Sequence, residues 1–86
     1  MARYFFDVHD THLSAHDYEG TECLDRAAVK TEALRALCQI AEDHPDRYAG
    51  QGLNVVVRNS ADQSVLTATL NLSASWHPKH ARDDAA

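Results

Sequence analysis

Residues 24–45, LDRAAVKTEALRALCQIAEDHP, carry the one long helical pattern in the chain. A chain with a single amphipathic helix has to find the other half of its core in a sheet. Val29, Ala33, Leu34, Leu37, Ile40 and Ala41 recur at steps of three and four, so they share one stripe. Thr31, Glu32, Arg35, Gln39, Glu42 and Asp43 lie opposite. Asp25 is the natural N-cap, since its carboxylate can accept first-turn amides and is favoured by the helix dipole. Leu24 and Val29 have the spacing of a hydrophobic staple across that cap. At the other end His44 precedes Pro45, and a residue before proline resists helical geometry. The pattern predicts a helix over about residues 26–43.

The flanking segments alternate with period two, the signature of strands with one buried face. In RYFFDVH, Tyr4, Phe6 and Val8 point one way and Arg3, Phe5, Asp7 and His9 the other. HDTH reads as a turn, and LSAHDY as a weaker second strand pairing back as a hairpin, with Val8 opposite Leu13 and His9 facing His12. EGT ends that strand, Gly20 supplying a backbone conformation other residues resist. DRYAGQG reads as a loop. LNVVVRN and VLTATLNLSA read as two more strands around the polar turn SADQS. The expected fold is α+β with order ββαββ: a four-stranded antiparallel sheet, strand order 2-1-3-4, with one helix packed on one face. Tyr4, Phe6, Val8, Leu53, Val55, Val57, Leu66, Leu70 and Leu72 should meet the helix. Residues 1–73 form the domain, and 74–86, which lose all periodicity, a loose tail.

Eighty-six residues with 44% hydrophobic content suit one small globular domain rather than a disordered chain. The charge balance, 8 Lys+Arg against 13 Asp+Glu, gives −5. The basic residues are scattered, with no stripe that would neutralise a row of phosphates, so neither nucleic acid nor an anionic membrane is an expected partner. Asp7 interrupts the apolar start too early for a secretory segment, and no run is long enough to span a bilayer. Cys23 and Cys38 lack redox or metal-ligand spacing; Cys23 precedes the helix and Cys38 lies well inside it, roughly 20 Å along the axis at 1.5 Å per residue. That is too far for a disulfide, and the expectation is a pair of free thiols in a reducing cytoplasm.

Two features suggest function. The first is the exposed side of the sheet, where Phe5, Val56, Val65, Thr67 and Thr69 make a half-apolar face instead of a charged one. Phe5, Val56, Val65 and Trp76, the large apolar residue of the tail, are the candidate partner-binding residues; Trp76 either docks on the body or anchors a partner. The occupant would be a protein or a second copy of the chain, as a homodimer. The second feature is DVHDTHLSAHDYE, with three histidines and four acids in residues 7–19. On the expected hairpin, His9 and His12 can bring β-carbons within ~5 Å, while His16 is ~13 Å from His12 along the strand. One zinc with bonds near ~2.0 Å cannot gather all three. At most His9 and His12, helped by Asp7 or Asp10, would hold a weak metal site, and the group is read chiefly as wet hairpin polars. Protonation is the alternative reading: all six histidines of the chain could together move the formal charge from −5 to +1, and Asp7, Asp10 and Asp17 would favour charged imidazoles in the cluster. Asp17, Glu19, Glu22 and Asp25 lack a calcium-loop pattern. No nucleophile–histidine grouping or glycine-rich phosphate loop has supporting context, so the expectation is a non-enzyme without a cofactor.

RYFFDVHD, DYEGTE and DRAAVKTEALRAL together resemble a family of small bacterial proteins carrying a domain of unknown function. The resemblance runs over about residues 3–72 and rests on Tyr4, Phe6, Asp7, Asp17, Glu19, Gly20, Glu22, Asp25, Ala28, Glu32 and Ala33. It implies the aromatic-Phe-Asp strand, the Asp-x-Glu-Gly-x-Glu turn, the alanine-rich helix and two terminal strands, with no activity attached. The histidines stand outside the family pattern, and DTH replaces a glycine-containing link. A looser likeness, in EGTECLDRAAVKTEALRAL, is to small antitoxins of the HicB type, and it implies a partner-receiving sheet and helix.

Overall fold

A computed structural model describes residues 1–78. The elements run β1 (Ala2–His9), β2 (Ser14–Ala15), β3 (Thr21–Cys23), α1 (Arg26–Asp43), β4 (Gly52–Arg58) and β5 (Ser64–Asn71). The main sheet has order β2-β1-β4-β5 and all its pairs are antiparallel, with α1 packed across one face. Class, strand order and helix face therefore agree with the periodicity of the sequence. The helix occupies Arg26–Asp43, and Asp25 caps it by accepting the Ala28 amide at 2.8 Å.

Apolar burial explains the assembly. Val29, Ala33, Leu37 and Ala41 of α1 meet Leu53, Val55, Val57 and Ala68, and Tyr4, Phe6, Val8, Leu66 and Leu70 complete the layer. The stripe is narrower than its sequence suggests: Leu34 is 45% exposed. The staple is also displaced. Leu24 is 73% exposed, and Cys23, one residue earlier, is the side chain that enters the core ahead of the helix. Leu72 falls outside β5 and stays partly exposed, forming a parallel bridge with Ala49 instead of joining the helix-facing row. Among the described residues no helix is long and apolar enough to cross a membrane. Both cysteines are free, Cys23 buried and Cys38 exposed.

Two parts of the expected topology need correction. There is a fifth strand: β3 pairs Ala2, Arg3 and Tyr4 with Cys23, Glu22 and Thr21, on the same edge of β1 that β2 holds further along. The hairpin register is also two residues longer than expected, with Val8 opposite Ala15 and His9 opposite Ser14. The cause is Asp10, whose Oδ1 accepts the amides of both His12 and Leu13 at 2.7 and 2.6 Å, while its own amide donates to the Leu13 carbonyl. That local ring consumes residues 10–13 as a turn, a common use of aspartate. The tail leaves the sheet after Leu72, and Trp76 is 79% exposed, so within the described residues it does not dock on the body. Residues 79–86 of the expected tail lie outside the described residues.

Candidate functional site

The outer edge of β1 is covered in two pieces, and the gap between them is closed by a charged clasp. β3 pairs with β1 as far as Tyr4, and β2 begins opposite Val8, which leaves the Phe6 amide facing no strand. Asp17 takes that place: its Oδ2 accepts Phe6 N at 3.0 Å, and its Oδ1 accepts the amides of Glu19 and Gly20 at 3.1 and 3.0 Å. Burial alone would raise the Asp17 carboxyl, but those three amides outweigh it and hold it below the ordinary carboxylate range. The chain then has to turn sharply at Gly20, where φ is +74°. A β-carbon there would lie 2.9 Å from the Tyr4 carbonyl oxygen as well as from Arg3 and Phe5 side-chain carbons. Gly20→Ala should therefore cost about 1–3 kcal/mol, combining backbone strain with a clash against main chain. A urea melt checks it: an unchanged midpoint would mean that this turn does not close the edge.

Beneath the clasp lies Asp7, the one buried charged side chain among the described residues, at 6% exposure. Arg58 reaches it across the β1–β4 pair with two bonds, Nε to Oδ2 at 2.7 Å and Nη2 to Oδ1 at 3.1 Å. The same guanidinium donates to Asp62 Oδ1 at 2.9 Å and to the Asp17 carbonyl at 3.0 Å, and its Cζ stands 5.1 Å from the Phe5 ring centroid. The Asp17 amide donates to Asp7 Oδ1 at 2.9 Å. The Arg58 hydrogen bonds, then the Asp17 amide, hold the Asp7 carboxyl below its ordinary range against the opposing effect of burial. The carboxylates of Asp7 and, more weakly, Asp62 hold the Arg58 guanidinium in its charged form. His16 completes the rim, with Nε2 3.1 Å from Arg58 Nη2 and Nδ1 3.5 Å from Asp7 Oδ1. A guanidinium only donates, so any hydrogen bond between the two is accepted by His16 Nε2. Tyr18 packs beside His16 with ring centroids 4.6 Å apart.

The motif Asp-x-Glu-Gly-x-Glu is accounted for by this clasp. Asp17 replaces a strand, Gly20 makes the turn, the Glu19 carbonyl accepts Arg3 Nη1 at 2.7 Å, and Glu22 pairs with Arg3 at 3.1 Å. With Asp25 on the helix cap, the four acids are distributed over separate structural tasks and do not converge. The histidines are likewise spread. His9 Nδ1 meets Ser14 Oγ at 2.9 Å, His12 sits exposed in the Asp10 turn, and Asp7 is fully engaged with Arg58, so the three candidate ligands are not brought together. Among the described residues no group of three His, Cys, Asp or Glu side chains is placed to hold a metal ion.

The candidate partner-binding residues divide in the same way. Phe5 and Val56 lie on the face away from the helix, but Phe5 is half-buried under Arg58 and the clasp. Val65 is turned elsewhere by an irregularity: Val57 pairs with Leu66 and Arg58 with Ser64, which leaves Val65 as an extra residue in β5. It lines a groove of about 620 Å³ between β5, β1 and the first turns of α1, together with Tyr4, Val29 and Leu66. Arg26 and Lys30 stand at the rim of this groove. Arg58 and Tyr48 escaped the sequence reading. Period-two alternation does put Arg58 on the Asp7 side of the sheet, which was the available clue. Tyr48 gives no such signal, because it lies in a segment without periodicity.

Comparison with curated proteins and with solved structures finds no match. A family model does match, over residues 3–71, and is described as a domain of unknown function, DUF6894. Its span begins in β1 and ends at the last residue of β5, so it takes in the clasp, the helix and the whole sheet. The chain belongs to the DUF6894 family.

Proposed function

We propose that this chain is a non-catalytic interaction module that takes up another polypeptide as an additional strand along β5. The observation that carries the reading is the contrast between the two edges of the sheet. The β1 edge is covered by β2, β3 and the Asp17 clasp. β5 ends the sheet with eight residues, SVLTATLN, that include no charge and no proline. Exposed edges normally carry lysine, proline or a covering loop against unwanted pairing, and a long edge without these devices suits strand addition.

The rest of the molecule supports the same reading. The groups with the strongest chemistry, Asp7, Asp17 and Arg58, satisfy one another and the backbone. Arg3, Arg35 and Arg58 are paired with acids, which fits a protein partner better than nucleic acid. Two free thiols fit a reducing, cytoplasmic setting. The test is a titration of the isotopically labelled protein with extended peptides, one of them residues 63–72 of this chain, followed by amide NMR. Shifts concentrated on β5 are expected. Silence of β5 at millimolar peptide in protein that sediments as a monomer, or shifts centred on the clasp, would reject strand addition.

A further inference from the structure

We infer that the occupant of the β5 edge is a second copy of this chain, with the two β5 strands paired antiparallel about a two-fold axis at Ala68 and each Trp76 seated in the other copy's groove. The inference rests on the strand-addition reading above and names its partner. Leu66-Thr67-Ala68-Thr69-Leu70 reads the same in both directions. An isologous antiparallel pair must place a segment opposite its own reverse, and here that reverse is the same sequence. Centred on Ala68, the pairing sets Leu66 opposite the partner's Leu70 and Thr67 opposite the partner's Thr69. The leucines, both half-buried on the helix side, would complete their burial, and the exposed threonines would make the Thr–Thr pairs that stabilise sheets. Moving the centre to Thr67 or Thr69 sets a leucine against Ala68, and a one-residue slip turns every side chain to the wrong face.

This register has a consequence at the ends of the strand. It runs the partner's Asn71 alongside Val65, so the partner's following residues travel past Ser64 toward the groove of Tyr4, Val29, Val65 and Leu66. The partner's Trp76, five residues further on, reaches up to roughly 16 Å beyond that point in extended chain. The groove, at about 620 Å³, is large enough for an indole. Arg26 and Lys30 at its rim form no ion pair among the described residues and are placed for cation–π contact. The molecule's own Trp76 leaves from the far end of β5, beside Gly52 and Ala49, which accounts for its exposure. An edge of eight residues is a narrow contact by itself. Two tryptophans, each hiding on the order of 150–250 Å², bring it toward the ~1,200 Å² of a specific interface.

Sedimentation velocity of the full chain at micromolar concentration should show a dimer. Trp76 is the single tryptophan, so its emission should move to the blue as concentration rises through the dissociation range. Thr67→Lys/Thr69→Lys, which sets lysine against lysine twice, should weaken the dimer by roughly tenfold or more. Mixing it with Thr67→Glu/Thr69→Glu should restore a mixed dimer, and circular dichroism of each variant alone confirms that it folds. Trp76→Ala should weaken association without changing the melt of the monomer. A monomer at every concentration would overturn the inference, and so would a dimer indifferent to the lysine pair or one whose tryptophan stays in water. A monomer that still binds the 63–72 peptide on β5 removes the second copy but leaves strand addition standing; loss of both removes the two readings together.

Discussion

Tyr48→Ala is expected to destabilise the fold by roughly 3–5 kcal/mol, the cost of removing a large aromatic from a core. Tyr48 is the largest of the fully buried side chains, at 1% exposure. A domain of this size has a total stability on the order of 4–13 kcal/mol, so the variant should be partly unfolded at 25 °C or melt far below wild type. Tyr48→Phe separates the two contributions of the side chain. It keeps the ring and removes only the hydroxyl that donates to Asp10 Oδ2 at 3.1 Å, so it should cost about 1 kcal/mol. That bond also ties the histidine-bearing turn to the loop after α1. Tyr48→Phe should therefore speed amide exchange at His12 and Leu13 while leaving α1 unchanged. Equal melts for the alanine and phenylalanine variants would mean that the ring is not a core residue.

Asp7→Asn is the second large effect, at about 2–3 kcal/mol, because it leaves the half-buried Arg58 short of its main counter-charge while preserving shape. The loss has a defined pH dependence. The Asp7 carboxyl is held below its ordinary 3.8 in the folded state, so the stability it contributes is fully present above that value. It is lost as pH falls through the lower, folded value. The gap between wild type and Asp7→Asn should thus be constant from neutral pH down to about 4 and shrink below it. Asp17, depressed in the same direction, adds to acid sensitivity in the same window. A gap that instead closed between pH 7 and 5 would show that the linkage does not lie on the carboxylates. Urea midpoints measured from pH 2 to 7 resolve the two cases.

The helix, the strand order and the core face were legible because they rest on periodicity, which is written residue by residue along the chain. Asp25, Val29, Ala33 and Leu37 declare their roles through spacing alone. The clasp was only half legible. Asp17 and Gly20 belong to a recognisable motif, but their meaning depends on β3, a strand of three residues and too short to show alternation. The hairpin register went astray for a similar reason: a single side chain, Asp10, decides how many residues the turn consumes. Val65 shows a third limit. Alternation assigned it to the face away from the helix, and one extra residue in β5 sent it to the groove. His9, His12 and His16, conspicuous in composition, are dispersed by that register. Among the described histidines, only His16 stands beside a buried charge.

β1 has neighbours on both sides: β2 and β3 along one edge and β4 along the other. The partners on the first edge follow within a few residues, whereas β4 begins only at Gly52, after the whole of α1. During synthesis the segment through residue 45 can close its clasp but must keep half of its central strand unzipped. Phe6, Val8 and the greasy flank of the helix then wait without a lid until the last hairpin arrives. Completion of the sheet is therefore a late, long-range event, and until it happens the uncovered apolar face lets unfinished chains stick to one another.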